Sequence, residues 1–538
     1  MPVNPVLALR KSGLPQPPGG GVAGALPEVT RYGALKTEPR VPRTAFGALR
    51  SESDTPQLQV TFGTHLSPIE WDITTQGDVA AAQGLTQVIR NEVSLSTEGN
   101  AGGGAQIESR EHAFYQAGQG LRIQWSARFT TGAIGTTQLA GYGDALNGLF
   151  IGWDDDQFGC LLRSNASGTV VDTWFYQEDW DNEFEDRYDG TGPSRITLDS
   201  TTSNVYFVQA KLHYYADIVW MMAIPGIPDP VELHRYKHND QTRTGKTLRT
   251  GSLPLHYSVQ NDAGVTNAVT VNGASMAVFT EGRVRTGKFP FSATFERSSV
   301  TSEQHMMSLR MRSSVMGQPS HGHAFIHLTG TATSGNQPGY LRIYRDPVLF
   351  NTVTDPDTDK TLVWTQPHQC SIVETSATQC ERLNIAAAAN TTTSQMSVYV
   401  CTSSNATGSP VHQVTLTVTD SPHTPDAING ASNRLAGCIM YINNCARRIL
   451  TSTQDGATAI VTVAAMPGVT ADYNAQTVTI YNGEHVLTQS LGKDSSTSSS
   501  FVGDKMIHMS PGDMITLTAD CATSSNIRAS VNWFEEWC

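Results

Sequence analysis

Strict alternation of apolar and polar residues is the clearest pattern in this chain. It runs from Leu121 to Phe129, where every second residue is apolar and the residues between them are polar or small. Successive side chains of a strand point to opposite faces of a sheet, so this stretch predicts a strand with one buried face. Gly118 and Gly120 precede it and supply a turn signal.

Further short apolar stretches follow, separated by Gly, Asn and Asp turns. Residues 148–153 and 158–163 flank an Asp-rich turn and predict a β-hairpin. The pair Asn482-Gly483 predicts a second hairpin, because this pair favours a type I′ turn. The body shows no convincing amphipathic helical period. The predicted fold class is all-β, with tandem antiparallel β-sandwich or jelly-roll domains after an extended Pro/Gly-rich N-terminal arm.

The first fifty residues lack this alternation and are rich in Pro and Gly. Such a segment buries too little apolar surface to offset its ordering entropy, which predicts an extended arm. The arm is basic, whereas the whole chain has a net charge of −13. This contrast predicts docking onto acidic protein surfaces or nucleic acid, with a solvated linker as the alternative. The predicted assembly residues of the arm are Arg10, Lys11, Arg31, Lys36, Arg40, Arg43 and Arg50.

The length of 538 residues predicts several domains. The predicted divisions are the arm at 1–50, a β-sandwich domain at 51–275, a second β-rich domain at 276–430 and a jelly-roll-like domain at 431–538. No apolar run predicts a membrane span, and the N-terminus shows no signal-peptide core. Seven of the eight cysteines follow residue 369, which leaves disulfides and free buried thiols as alternatives.

Two stretches resemble known structural modules. Residues 510–517, Ser-Pro-Gly-Asp-Met-Ile-Thr-Leu, resemble the G-D-x-I-x-L strand of jelly-roll heads in C1q/TNF-like modules and in viral and phage fibres, and residues 531–536 resemble their last strand. The segment from Tyr115 to Gly159 resembles structural proteins of large DNA viruses and phages. The resemblance implies a virion component. Such heads usually trimerise, so it also implies a homo-oligomer.

Tryptophans beside carboxylates are the candidate binding chemistry. The acidic stretch 178–189 and the sequence Trp-Asp-Asp-Asp at 153–156 combine rings with carboxylates. Rings stack on the CH faces of sugars, and carboxylates accept hydrogen bonds from hydroxyls. A solvated loop and a calcium site are the alternatives. The candidate glycan-binding residues are Trp153, Asp154, Asp156, Trp174 and Trp180.

Zinc takes histidine ligands in groups such as His321, His323 and His327. Residues i and i+2 of one strand are about 7 Å apart, so surface or interface histidines are predicted instead. The sequence contains no phosphate-binding loop, nucleophile elbow or His-Glu-x-x-His motif. We therefore predict no metal, no cofactor and no catalytic residue.

Together these features predict a non-enzymatic virion protein, either capsid-associated or a spike or fibre component. Its predicted partners are other capsid or fibre subunits and a host-surface glycan. Two alternatives remain at this stage. One is a carbohydrate-binding adhesin with Trp153, Trp174 and Trp180 as its platform. The other is a polysaccharide-degrading enzyme that uses Asp154, Asp156 or Asp181.

Removal of residues 1–50 tests the predicted role of the arm. Because the arm has no hydrophobic period of its own, the shortened chain is expected to fold while failing to enter particles. Circular dichroism reports folding, and sedimentation of assembled particles reports incorporation. Normal incorporation of the shortened chain would contradict the assembly role.

Overall fold

A computed structural model of the chain describes residues 54–351 and 436–537, each with short gaps, and strands between residues 364 and 417. The predicted arm, with its seven basic residues, lies outside the described residues. The described chain consists of antiparallel strands, which confirms the all-β prediction. The one helix among the described residues is a single 3-10 turn at Gln177–Asp179.

Nineteen strands form the first part of the described chain. They are β1 (Thr55–Thr61), β2 (Trp71–Asp78), β3 (Ala82–Gln83), β4 (Leu85–Ile89), β5 (Glu92–Ser96), β6 (Gly104–Ser109), β7 (Ala113–Phe114), β8 (Leu121–Phe129), β9 (Thr136–Gly143), β10 (Gly148–Asp154), β11 (Gln157–Ser164), β12 (Val171–Tyr176), β13 (Asn204–Ala210), β14 (Ile218–Met222), β15 (Val231–Tyr236), β16 (Ser252–Leu253), β17 (Leu255–Asn261), β18 (Thr270–Gly273) and β19 (Ser275–Thr280).

Two large sheets from these strands pack face to face as a β-sandwich. One has the order β15-β14-β13-β8-β18-β5-β4, with β19 also paired to β8 and β1 paired to β19. The other is eight-stranded, with the order β12-β11-β10-β9-β17-β6-β2-β3. Strands β7 and β16 form a separate pair. The apolar residues of both sheets meet in one core, the arrangement expected of a sandwich.

Strand β8 lies inside this sandwich and confirms the alternation seen in the sequence. Leu121, Ile123 and Trp125 are at most 1% exposed, whereas Arg122 and Gln124 are partly exposed. The hairpin predicted for residues 148–163 is also confirmed, since β10 and β11 pair in register from Gly148–Arg163 to Asp154–Gln157. The turn between them contains Asp155 at a φ of 53°.

Twenty-one further strands follow. They are β20 (Phe289–Val300), β21 (Gln304–Met311), β22 (Ser314–Val315), β23 (Gln318–Pro319), β24 (Gly322–Ser334), β25 (Gly339–Arg345), β26 (Leu349–Asn351), β27 (Trp364–Thr365), β28 (Ile372–Thr375), β29 (Cys380–Arg382), β30 (Met396–Thr402), β31 (Val411–Thr417), β32 (Ile439–Ile442), β33 (Cys445–Asp455), β34 (Thr458–Met466), β35 (Asn474–Tyr481), β36 (Glu484–Leu491), β37 (Ser496–Ser500), β38 (Ile507–Met509), β39 (Met514–Cys521) and β40 (Ser525–Trp537).

These strands form a second sandwich and a barrel. The second sandwich has a sheet β20-β40-β24-β37, with β38 also paired to β24, and a sheet β27-β28-β21-β39-β25-β36. Strands β30-β31-β34-β33-β32-β35 form a closed barrel. The second sandwich thus combines strands from before and after the barrel in the sequence. The boundaries predicted at residues 275 and 430 stay predictions.

The hairpin predicted at Asn482-Gly483 is wrong. Strand β35, which ends before this pair, pairs with β30 and β32 of the barrel. Strand β36, which begins after it, pairs with β25 of the second sandwich. Gly483 has a φ of 76°, so the turn exists. The turn carries the chain from one sheet into another instead of joining two neighbouring strands.

The cysteines whose side chains are described are buried thiols and not halves of a disulfide, namely Cys160, Cys438, Cys445 and Cys521. Burial raises the pKa of the Cys160 thiol well above its ordinary value, which keeps it protonated and unreactive. For these four positions, the alternative of buried thiols therefore holds.

Among the described residues, no helix has the length and apolarity that crossing a membrane requires.

Candidate functional site on the outer face of the eight-stranded sheet

The eight-stranded sheet has one face in the core and one face outside it. Ile107, Tyr257 and Ile151 belong to the buried face. Their sequence neighbours point the other way, because side chains alternate along a strand. The strand register aligns these outer residues in two rows across the sheet. The first row is Trp174, Leu161, Phe150, Gly141, His256, Glu108 and Asp72; the second is Tyr176, Gly159, Gly152, Leu139, Ser258, Gln106 and Thr74.

A groove of about 240 Å³ lies on this sheet. Most of the side chains that line it are uncharged hydroxyls and amides, which both donate and accept hydrogen bonds. These are Thr74, Gln76, Gln106, Thr137, Ser258 and Gln260. Leu139 and Arg163 also line it. The composition of the groove suits a ligand rich in hydroxyl groups.

Two parallel rings lie on β12, at one edge of the sheet. The ring centroids of Trp174 and Tyr176 are 5.9 Å apart and their planes differ by 5°. Both are partly exposed. Trp174 also packs against the buried side chains of Leu139, Phe150 and Leu161. This support holds the platform in place before any ligand arrives, which lowers the entropic cost of binding.

A hydrogen bond fixes the second ring of the platform. The Tyr176 hydroxyl donates to Asp154 Oδ2 at 2.8 Å. Desolvation and the Asp154 carboxylate together raise the pKa of Tyr176 to about 12. The phenol therefore remains protonated and keeps donating to Asp154 at any physiological pH.

Two glycines separate the platform from the polar side of the face. Gly159 and Gly152 lie between Tyr176 and Leu139 in the second row. A Cβ on Gly159 would stand 2.6 Å from the Phe175 carbonyl oxygen, and one on Gly152 would collide with the Gln138 carbonyl oxygen. Only glycine fits at these two positions, and the sheet between platform and groove has no side chains there.

The arginine that lines the groove is already paired. Arg163 donates through Nε and Nη2 to the two carboxylate oxygens of Asp172, each at 2.8 Å. Its guanidinium lies 5.7 Å from the centroid of the Phe150 ring. A bidentate pair of this kind neutralises the charge and fixes the side chain. The groove therefore presents little net charge at this point.

A chain of three polar side chains lies at the middle of the outer face. His256 Nδ1 is 3.2 Å from Glu108 Oε1, and His256 Nε2 is 2.8 Å from Ser258 Oγ. The Gln106 amide donates to the same Glu108 oxygen at 2.8 Å. His256 is 2% exposed and its ring meets Phe150 edge-on at 5.1 Å between centroids. The imidazole is thus held from three sides.

The glycan-binding residues predicted from the sequence separate onto two faces. Trp174 and Asp154 lie on the outer face. There the Asp154 carboxylate accepts the hydrogen bond of the Tyr176 hydroxyl. Trp153 packs on the core side, 5.3 Å from Phe158 between centroids. Trp180 is 5% exposed, and its indole N–H donates to the Phe175 carbonyl at 2.9 Å. Asp156 is exposed in the β10–β11 turn.

The acidic stretch is partly a structural loop. The Asp186 carboxylate accepts hydrogen bonds from the backbone N–H groups of Tyr188 and Ser194, at 2.8 and 2.7 Å. Asp181 pairs with Lys237 at 3.0 Å. Within the part of the chain that the structure describes, no group of three or more His, Cys, Asp or Glu side chains is arranged to hold a metal ion.

Sequence reasoning missed Tyr176, Gln106, His256 and Ser258. A spacing of two residues on one strand was an available signal, because residues two apart share a face. Trp174 and Tyr176 have this spacing, and so do His256 and Ser258. The contact between Glu108 and His256 carried no such signal, because β6 and β17 are far apart in the sequence and only their register brings the two strands together.

No protein-family model matches this sequence, and no curated protein matches it. Solved structures similar to it include a glycosyl hydrolase family protein from Mycobacterium fortuitum, with 9% identity, a TM-score of 0.28 and coverage of 42% of this chain and 99% of that one. LamA from Z. galactanivorans in complex with laminaritriose and laminaritetraose has 10% identity, a TM-score of 0.28 and coverage of 42% and 98%. Cellulose induced protein Cip1 has 12% identity, a TM-score of 0.26 and coverage of 43% and 100%.

These matches contradict the prediction that the chain is not an enzyme, since several of the matched proteins are glycoside hydrolases by name. At this level of similarity, a functional assignment rests on the residues of the outer face themselves.

Proposed function

We propose that this protein binds carbohydrate on the outer face of the eight-stranded sheet. The observation that carries the proposal is the rigid ring pair Trp174 and Tyr176 beside a groove of hydroxyls and amides. Sugar rings have apolar CH faces and a rim of hydroxyls, so a protein that binds them needs both an aromatic surface and hydrogen-bonding side chains. A binding site with a few polar groups around an aromatic platform provides this combination.

The charge of the face favours an uncharged glycan. The Arg163 guanidinium forms a bidentate pair with Asp172, which neutralises its charge and weakens its attraction for a sulfate or a uronic acid. The remaining polar side chains of the groove are amides and hydroxyls. The platform on β12 and the groove over β9, β17, β6 and β2 lie on one sheet, so a ligand that reaches both spans several strands. The proposed ligand is therefore a neutral, extended oligosaccharide or polysaccharide.

The variant Trp174→Ala tests this proposal. Removing the larger ring of the platform should weaken glycan binding at least about tenfold, the loss typical of a central aromatic contact. A glycan array on the full chain identifies a ligand, and calorimetry with that oligosaccharide gives the dissociation constants. Val171→Ala is the matched control, because Val171 lies on the same strand and is 45% exposed. Unchanged affinity in Trp174→Ala, or an array without any bound glycan, would overturn the proposal.

A further inference from the structure

The chain Glu108–His256–Ser258 has the connectivity of an acyl-transfer site. A nucleophile is recognised by a base within hydrogen-bond reach and by a third group that orients the base. Ser258 Oγ lies 2.8 Å from His256 Nε2, and Glu108 Oε1 lies 3.2 Å from His256 Nδ1. All three side chains are on the same face, because β6 and β17 pair with His256 opposite Glu108.

The hydrogen bonds assign the protons of this chain. A carboxylate can only accept, so the bond to Glu108 requires the proton of the neutral imidazole to be on Nδ1. Nε2 then carries the lone pair and accepts the hydrogen bond of the Ser258 hydroxyl. This is the tautomer that a general base needs in order to take the serine proton.

The serine is accessible where a substrate would lie. Ser258 lines the groove and is partly exposed, whereas His256 behind it is 2% exposed. Directly across from Ser258 on β6 is Gln106, whose amide also donates to Glu108. The amide carries a second N–H, and a side-chain amide next to a nucleophile can stabilise an oxyanion.

We propose that Ser258 is the nucleophile of an ester hydrolase, with His256 as general base and Glu108 as the positioning residue for the imidazole. Ser258 Oγ attacks the ester carbonyl carbon while its proton moves to His256 Nε2, and Gln106 donates to the oxyanion. The carbon–oxygen bond to the alcohol then breaks, and the alcohol leaves with the proton from His256. Water, activated by the same imidazole, attacks the acyl-serine and releases the acid and the free serine.

The position of Ser258 in the groove identifies the alcohol part of the ester. This identification rests on the proposed glycan-binding function, because a glycan bound in the groove would supply a sugar hydroxyl as that alcohol. The acyl part must be short, since the groove measures about 240 Å³. The substrate class is therefore an O-acetylated neutral glycan. The esterase chemistry itself does not depend on the glycan and can be tested with a simple acetyl ester.

The first experiment measures hydrolysis of 4-nitrophenyl acetate and release of acetate from acetylated xylan by the full chain. Ser258→Ala and His256→Gln are each expected to lower kcat at least about 10³-fold, the loss typical when a nucleophile or its base is removed. Glu108→Gln is expected to lower kcat while leaving KM unchanged, since it acts through the imidazole. Ser167→Ala is the matched control, because Ser167 lies in an exposed loop.

A second measurement separates loss of chemistry from loss of folding or of glycan binding. A fluorophosphonate probe should add its mass to the wild type and to Ser167→Ala, but not to Ser258→Ala. Ser258→Ala should keep the wild-type circular dichroism spectrum and should still bind the glycan, with at most about the tenfold loss of affinity that one missing hydrogen bond causes. If the wild type is unlabelled and hydrolyses neither ester faster than buffer, or if Ser258→Ala keeps its rate, the esterase proposal is overturned. Glycan binding that persists in that case leaves the proposed function standing.

Discussion

The variant Arg345→Met is expected to lower the free energy of unfolding by about 3–5 kcal/mol, the usual cost of removing one partner from a buried ion pair. Arg345 ends strand β25 and is 10% exposed. Its Nη2 lies 2.8 Å from Asp513, its Nη1 3.2 Å from Glu111 and its Nε 3.9 Å from Asp346. Methionine fills a similar volume but leaves these carboxylates facing each other without the cation. The loss is measured as a shift of the midpoint of urea-induced unfolding.

The matched control for this prediction is Arg128→Met. Arg128 also bonds a carboxylate, Glu92, at 3.0 Å, but its side chain is 44% exposed. An exposed pair contributes between about 0 and 1 kcal/mol, so this midpoint should barely move. Arg345 further joins the two sandwiches, since Glu111 belongs to the first and Asp513 to the second. Equal midpoints for the two variants would show that the buried network contributes no more than a surface pair.

Local patterns predicted local structure well. The alternation over Leu121–Phe129 predicted strand β8 with its buried face, because burial repeats every two residues along a strand. The hairpin β10–β11 was predictable because its partner strands are adjacent in the sequence. Asn482-Gly483 misled because a turn signal reports the bend of the chain. It does not report which strand each arm of the turn will pair with.

The site was predictable only in part, because a local pattern does not specify which strands pair. Trp174 and Asp154 were identified from composition, and both belong to the outer face. Trp153 was grouped with Asp154 because they are neighbours in sequence, yet neighbouring residues of a strand point to opposite faces. The Glu108–His256 contact depends on the pairing of β6 with β17. That pairing spans about 150 residues, and no local pattern specifies it.

The histidines also show this dependence on distant pairing. His323 was predicted as a surface or interface residue, and the structure places it fully buried between the two sandwiches. Its Nδ1 is 2.7 Å from His508 Nε2, and its Nε2 is 2.9 Å from Ser252 Oγ. His508 stacks on Phe325 with centroids 4.9 Å apart. The side chains of this cluster come from three different parts of the sequence, around residues 252, 324 and 508, so the cluster is a property of the fold.

Acidification is expected to destabilise the folded chain between pH 6.5 and pH 4. Burial lowers the pKa of His508, His112 and His234 to about 4 each, against an ordinary value near 6.5. Below pH 6.5 these imidazoles are protonated in the unfolded chain but stay neutral in the folded chain. The folded chain therefore has its full stability above pH 6.5 and loses stability as the pH falls to 4. The difference between 6.5 and about 4 corresponds to about 3 kcal/mol for each imidazole, so the three together account for a loss of up to about 9 kcal/mol by pH 4.

The variant His508→Gln tests the part of this loss that arises between the sandwiches. The charged groups that face His508 are Glu111, Arg345 and His112, and the first of these favours protonation while the other two oppose it. Without the buried imidazole, the fall in unfolding midpoint from pH 7 to pH 4 should be smaller than in the wild type, whatever the variant loses at pH 7. His65→Gln, at an exposed position, should keep the wild-type pH dependence. If both variants lose stability with acid as steeply as the wild type, the buried imidazole of His508 is not a source of the acid sensitivity, and the carboxylates of the Arg345 network become the groups whose protonation must account for it.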